Sequence, residues 1–99
     1  MKQSVWKEYV PVYTYTNEEG VMLPQELIWT DGTHYTIDKV LEIKQAAAMK
    51  AGGQGDRYTI MVEGITTYLF FERSANLTGN VIGRWFVERR IPRPEANAQ

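Results

Sequence analysis

The stretch "DRYTIMVEGITTYLFFER" (residues 56–73) decides the fold class of this chain. Two runs rich in β-branched and aromatic residues flank the dipeptide Glu63-Gly64, which is typical of a tight turn. In the first run Tyr58, Ile60 and Val62 alternate with Thr59, Met61 and Glu63, and in the second Leu69 and Phe71 fall on the same side. Because alternate residues of a strand point to opposite faces of a sheet, the stretch predicts an antiparallel hairpin with one buried face.

Similar runs occur before and after this hairpin, separated by turn signals. Such signals are "NEEG" (17–20) and "TDGT" (30–33), and Asp-Gly readily adopts the positive φ values that a two-residue turn requires. The spacing therefore predicts further strands over residues 5–16, 25–30, 34–46 and 84–90.

Two prolines and one change of parity mark irregular positions in these runs. Pro11 cannot donate a hydrogen bond to a sheet ladder, which predicts an edge strand or a bulge there. Pro24 interrupts the second run, so the paired part of that run is expected only after this residue. Val40 breaks the alternation of the third run, which indicates a bulge near Asp38 and Lys39.

The expected core follows from the same alternation. Leu41 is predicted to share a face with Ile37, and Val87 to share one with Trp85. The residues predicted to form the core are Leu27, Ile37, Ile43, Ile60, Val62, Leu69 and Trp85.

The predicted fold is all-β: a small antiparallel barrel or half-barrel of six strands, in the SH3-like class. Residues 44–51 are rich in alanine and favour helix, but they are too few to form a stable one. At most one short helical turn is therefore expected near residues 44–51. Residues 1–91 form one domain in this prediction, and residues 92–99 form a disordered tail.

Composition excludes several kinds of site. The chain of 99 residues has no cysteine and one histidine, which rules out a Cys-based zinc site and a site with several histidine ligands. Neither a metal nor another cofactor is therefore expected. The N-terminal residues lack the apolar run of a signal peptide, and no stretch approaches the ~20 apolar residues that cross a bilayer. The predicted location is the cytoplasm, with no membrane partner.

Four motifs resemble a group of small bacterial proteins found mostly in Firmicutes. These motifs are "DGTHYTID" (31–38), "GGQGDRYT" (52–59), "YLFFE" (68–72) and "RWFVE" (84–88). The resemblance covers most of the chain from about Pro24 to Arg90 and implies a cytoplasmic bacterial protein of a single domain. Because the group has no established activity, the resemblance implies no catalytic residue.

The glycine-rich segment "AGGQG" (51–55) comes closest to a chemical motif. Peptide-chain release factors use Gly-Gly-Gln to hydrolyse peptidyl-tRNA, but docking on RNA usually rests on many Lys and Arg contacts, and this chain has a net charge of −1. A second interpretation is an anion site, in which backbone N–H groups and nearby cations hold the anion. The third, which the sequence favours, is a mobile connection between strands. The residues of the anion site would be Lys50, Gly52, Gly53, Gly55 and Arg57.

Aromatic and basic residues form a candidate partner surface. Aromatic rings combined with arginines are how small barrels bind single-stranded nucleic acid, and equally how they bind extended peptides. Alternatively, the tyrosines close one side of the core with their hydroxyls in water. The residues of this candidate surface are Tyr9, Tyr13, Tyr15, Arg84, Arg89 and Arg90.

Together these patterns favour a non-enzymatic interaction or regulatory module whose partner is a protein. A nucleic-acid-binding accessory protein is the alternative, and a peptidyl-tRNA hydrolase using the Gly-Gly-Gln loop is a more distant one. The single histidine, His34, has no cysteine or evident nucleophile beside it, so no catalytic residue is expected. A homodimer through an edge strand is also compatible with the sequence.

Overall fold

The computed structural model describes residues 4–48, 54–74 and 80–91, and all regular secondary structure in these ranges is β-strand. The prediction of an all-β fold is therefore confirmed. The residues predicted to form a disordered tail, 92–99, lie outside the described ranges. The strands are β1 (Ser4–Tyr9), β2 (Val12–Thr16), β3 (Met22–Ile28), β4 (His34–Thr36), β5 (Lys39–Ala48), β6 (Gln54–Val62), β7 (Ile65–Arg73) and β8 (Gly83–Ile91).

These strands form two antiparallel sheets. One sheet has five strands in the order β1-β8-β7-β6-β5, and the other has three in the order β2-β3-β4. The hairpin predicted from residues 56–73 is confirmed as β6 and β7, whose pairing extends to Val62 and Ile65. Its turn has positive φ values at Glu63 (51°) and Gly64 (79°), as a tight two-residue turn requires.

The chain passes between the two sheets at two corners, one between β1 and β2 and the other between β4 and β5. Val10 at the first corner donates its N–H to the Trp85 carbonyl, and Asp38 at the second donates to the Met61 carbonyl. Pro11, predicted at an edge or a bulge, lies at the first corner. The result is a half-barrel and not a closed barrel. Because two predicted runs are each divided at a corner, there are eight strands where six were expected. The SH3-like class stays a prediction.

Pro24 does not end the pairing of its strand, contrary to the prediction. β3 is the central strand of the smaller sheet and runs through Pro24, which lies opposite Thr14. The register of this pair of strands shifts between Tyr13 and Thr14, next to the proline. A bulge tolerates a residue without an N–H group, and the fully buried Pro24 ring packs into the interior.

Residues 44–48 continue β5 as a strand, so the helical turn suggested by their alanines is absent from these residues. Residues 49–51 lie outside the described ranges. Pairing with β6 holds this segment extended, with an irregular register between Lys44 and Ala47. The intrinsic helix preference of alanine amounts to a few tenths of a kcal/mol per residue, which tertiary pairing readily outweighs.

The core lies between the two sheets and matches most of the prediction. Ile60 and Leu69 are fully buried, while Ile43 and Val62 pack against the core and are partly exposed. Leu41 was expected to face inward but is 49% exposed, because the register of β5 shifts between Val40 and Glu42. The buried core residues are Val10, Leu27, Ile37, Tyr58, Ile60, Leu69, Phe71 and Trp85.

Candidate functional site

A cleft of about 420 Å³ lies between the two sheets and is open to solvent. Its walls are apolar and aromatic, with contributions from five strands or the turns that follow them. We call it the intersheet cleft and define it by Leu27, Trp29, Tyr35, Val62, Ile65 and Val87. Of the residues expected to form a partner surface, Arg89 lines this cleft.

Arg89 also lines the cleft, and two indole rings hold its guanidinium group. The Cζ atom lies 5.1 Å from the centre of the Trp29 ring and 5.7 Å from that of Trp6. Nη1 lies 3.5 Å from Oε1 of Glu8, a long contact for a charged pair. The cleft thus has one cation placed over aromatic faces at its edge.

The three arginines expected on one surface are divided between the two faces of β8. Arg89 lies in the intersheet cleft. Arg84 and Arg90 have the opposite parity in β8 and lie on the other face of the sheet, where Arg84 contacts Tyr9. The alternation of the strand therefore separates residues that are neighbours in sequence.

The three tyrosines are likewise divided, between two sheets. Tyr9 lies in β1 and is 37% exposed, while Tyr13 and Tyr15 lie in β2 and are 57% and 58% exposed. The corner at Pro11 separates the two groups. Each ring is accessible, but the three do not lie on one flat sheet face.

The face of the five-stranded sheet that points away from the three-stranded sheet carries a row of four aromatic rings. We call this the outer face and define it by Lys7, Tyr9, Arg57, Tyr68, Phe70, Glu72, Arg84 and Phe86. Successive ring centres are 6.5 Å apart from Tyr68 to Phe70, 5.1 Å from Phe70 to Phe86, and 5.7 Å from Phe86 to Tyr9. Phe70 and Phe86 are buried beneath their neighbours, with Lys7 Nζ 5.1 Å from the Phe86 ring centre.

Guanidinium groups cover both ends of this row. Arg84 Cζ lies 3.8 Å from the centre of the Tyr9 ring, and Arg57 Cζ lies 4.6 Å from that of Tyr68. Both distances are within the range of cation–π attraction. Sequence alternation missed this cluster because it assigned one apolar face to each strand. The adjacent pairs Phe70-Phe71 and Trp85-Phe86 were the available signal that both faces are covered.

Glu72 on the outer face is held by a cation and a hydroxyl group. Lys7 Nζ donates to Oε2 at 2.9 Å, and the Tyr9 hydroxyl donates to Oε1 at 2.8 Å. The bond from Lys7, followed by that from Tyr9, lowers the pKa of Glu72 below its ordinary value of 4.5, because both stabilise the carboxylate. The bond to Glu72, followed by burial, raises the pKa of Tyr9 above 10.0.

This lowered pKa predicts a contribution to stability that depends on pH. A carboxylate whose pKa is lower in the folded than in the unfolded state stabilises the fold above its unfolded pKa, and this is lost as pH falls through its folded pKa. We expect Glu72→Gln to be less stable than the wild-type protein at neutral pH, and the difference to shrink below about pH 4.5. Urea unfolding across pH measures it. Lys7→Gln removes the largest cause of the lowered Glu72 pKa, so the stabilisation by Glu72 should be lost at a higher pH than in the wild-type protein. A stability difference between Glu72→Gln and the wild-type protein that stays constant with pH would contradict the assignment.

The candidate anion loop is only partly within the described residues. Lys50, Gly52 and Gly53 lie outside them. Gly55 is a buried residue of β6 opposite Ala47, so it belongs to a strand and not to the connection that the sequence suggested. The Arg57 side chain is engaged with Tyr68 on the outer face.

Gln54 is the first residue of β6, where it lies opposite Ala48. A release-factor tripeptide works at the tip of an extended loop, and a residue paired in a ladder is poorly suited to that position. Peptidyl-tRNA hydrolysis nevertheless stays an untested prediction for this segment.

His34 lies beside a carboxylate of the neighbouring strand. Its Nδ1 is 3.3 Å from Oε2 of Glu26. The two aspartates that flank it in sequence have other partners: Asp31 accepts the Thr33 N–H, and Asp38 accepts that of Glu63. Within the described ranges, no group of three or more His, Cys, Asp or Glu residues is arranged to hold a metal ion.

Comparison with known proteins does not add a function to this geometry. No protein-family profile, curated protein or solved structure matches the chain. The part of the chain that the structure describes has no helix long and apolar enough to cross a membrane.

Proposed function

We propose that this protein is a non-enzymatic interaction module of the cytoplasm, and that it binds a partner protein by taking an apolar side chain into the intersheet cleft. The observation that supports the proposal is the cleft itself. Its volume of about 420 Å³ falls in the range of ligand-binding pockets, and its lining is mainly apolar and aromatic.

The residue types at the cleft are those that dominate the binding energy of protein interfaces. Trp, Tyr and Arg are enriched among interface residues whose truncation weakens binding most. Trp29 and Tyr35 supply broad rings with little rotamer freedom, and Arg89 supplies a charge already positioned over Trp29. A partner that enters the cleft would meet preorganised groups, which lowers the entropy lost on binding.

The open form of the cleft favours a side chain of a larger partner over a free small molecule. Pockets for small ligands bury most of the ligand surface, whereas this cleft leaves one side in water. A partner protein can cover that side with its own surface and so exclude water from the anchor. Glu63 at the β6–β7 turn and Arg89 in β8 are among the charged residues that line the cleft, and Ile60 forms part of its apolar floor. This arrangement suits the binding of a side chain better than acid–base chemistry.

Selection of peptides from a random display library against the wild-type protein tests this proposal. We expect the selected peptides to share a bulky apolar residue, and Trp29→Ala to weaken their binding by about 2 kcal/mol or more, roughly 30-fold. Isothermal titration calorimetry measures the affinities, and circular dichroism checks that the variants fold.

The matched control is Tyr15→Ala, which removes an exposed aromatic ring from the smaller sheet and should leave the affinity within about twofold. A library that yields no binder, or binders that tolerate Trp29→Ala, would contradict the proposal.

Pairing of two copies through an edge strand stays a separate prediction, with β2 and β5 as edges of their sheets.

A further inference from the structure

We infer that the outer face of the five-stranded sheet binds single-stranded nucleic acid, at a site distinct from the intersheet cleft although Tyr68 borders both. Nucleic acid was an alternative partner on sequence grounds, but the residues then expected are divided between surfaces. The structure groups a partly different set on one face, which keeps Tyr9 and Arg84 and adds Arg57 and Tyr68. That set combines cations with aromatic rings, the two components that sequence-tolerant binding of single strands requires.

The charge of the outer face differs from that of the whole chain. Strand alternation places more cations than carboxylates on this face, although the chain has a net charge of −1. The cations are Lys7, Lys39, Lys44, Arg57, Arg84 and Arg90, and the carboxylates are Glu42, Glu72 and Glu88. The acidic residues Glu18, Glu19, Glu26 and Asp31 lie in the three-stranded sheet or its turns. The segregation leaves a locally positive face, to which a phosphate backbone is attracted.

Two guanidinium–tyrosine stacks give this face its flat binding elements. Arg84 lies over Tyr9, and its side chain is 65% exposed. Arg57 lies over Tyr68, and its buried Nε atom has no hydrogen-bond partner among the described residues. A guanidinium plane held against a ring on one side can stack with a nucleobase on the other. The strands that carry the two arginines are two positions apart in the sheet, about 10 Å between strand axes. Their guanidinium groups lie at the two ends of the aromatic row, so a strand of several nucleotides that follows the row can meet both.

A nucleic acid fits these groups better than an acidic peptide does. Carboxylates pair with the edge of a guanidinium group and do not use the faces of the rings, whereas bases stack on rings and guanidinium planes. The Arg57 guanidinium group is held by its contact with the Tyr68 ring. Arg84 Nη2 lies 3.9 Å from Oε1 of Glu72, a carboxylate that also accepts from Lys7 and Tyr9. Because the Arg84 side chain is 65% exposed, most of its charge faces solvent.

Fluorescence anisotropy with labelled single-stranded DNA and RNA of about 16 nucleotides tests the inference. We expect binding at about 50 mM salt that weakens steeply toward about 200 mM. Arg57→Gln and Arg84→Gln should each weaken binding about tenfold through lost stacking. Each should also reduce the slope of log affinity against log salt by about 0.7, the value for one phosphate contact with a single strand.

Arg84→Lys separates stacking from charge, since it keeps the charge and loses the plane. It should weaken binding while preserving the salt slope, and Tyr15→Ala on the other sheet should change neither. Absence of binding at about 50 mM salt would overturn the inference. So would a glutamate-rich peptide that binds more tightly than the oligonucleotides and loses its affinity in Arg84→Gln, because the face would then serve an acidic partner.

Discussion

Phe86→Ala is expected to lower the free energy of unfolding by about 3–5 kcal/mol, the usual effect of deleting a buried aromatic ring. The residue lies on the outer face, where sequence alternation predicts a solvent-exposed side chain. In the structure it has no exposed surface. It stacks on Phe70 with the ring planes 8° apart, contacts the edge of Tyr9, and lies under the Lys7 ammonium group. Removal of this ring deletes these contacts and leaves a cavity beside Phe70.

Urea unfolding monitored by circular dichroism measures this effect. The control is Tyr13→Ala, which removes a ring that is 57% exposed and should change stability by less than about 1 kcal/mol. A loss below about 1 kcal/mol for Phe86→Ala would show that the outer face is an ordinary solvated surface. The aromatic row would then have no structural role and would not offer nucleobases a preorganised surface.

Gly83→Ala is expected to destabilise the domain by about 2–4 kcal/mol, through steric overlap and an unfavourable backbone conformation. Gly83 begins β8 with a φ of 157°. A Cβ atom there would lie 2.5 Å from the Glu72 carbonyl oxygen and 2.5 Å from Cζ of Phe71. The oxygen belongs to the backbone of β7, and the Phe71 ring is packed against Trp85, so neither can move away cheaply.

Gly20→Ala is the matched control, because Gly20 also has a positive φ (84°) but a Cβ there would meet open space. It should cost about 1 kcal/mol, which isolates the backbone effect from the overlap. Equal losses for the two variants would contradict the close approach of β7 and β8 at this point.

Local signals in the sequence predict the hairpin β6–β7 and the turns, because strand alternation and turn chemistry depend on adjacent residues. At the predicted Asp-Gly turn, Gly32 has a positive φ of 89° but Asp31 does not, and the Gly32 N–H donates to the Trp29 carbonyl, so the turn is longer than the two-residue form. The two corners are harder to predict. Val10 and Asp38 bond to Trp85 and Met61, so where each run bends depends on strands far away in the chain.

The candidate sites were predicted less well for the same reason. The intersheet cleft gathers Trp29, Tyr35 and Val87 from distant parts of the sequence, and no local pattern joins them. Arg84 and Arg89 looked like one basic cluster, but β8 presents them on opposite faces. Tyr9 and Arg84 were both singled out, and the structure stacks them, although their contact depends on the pairing of β1 with β8.

Nuclear magnetic resonance tests whether the intersheet cleft is the binding site for a partner protein. Backbone amide shifts of the labelled protein are recorded while a display-selected peptide is added. We expect the largest changes on residues of the cleft, including Trp29, Tyr35, Val62 and Val87. Shift changes confined to the exposed β2 strand around Tyr15, with the amide shifts of the cleft residues unchanged, would contradict the assignment of the partner site to the cleft.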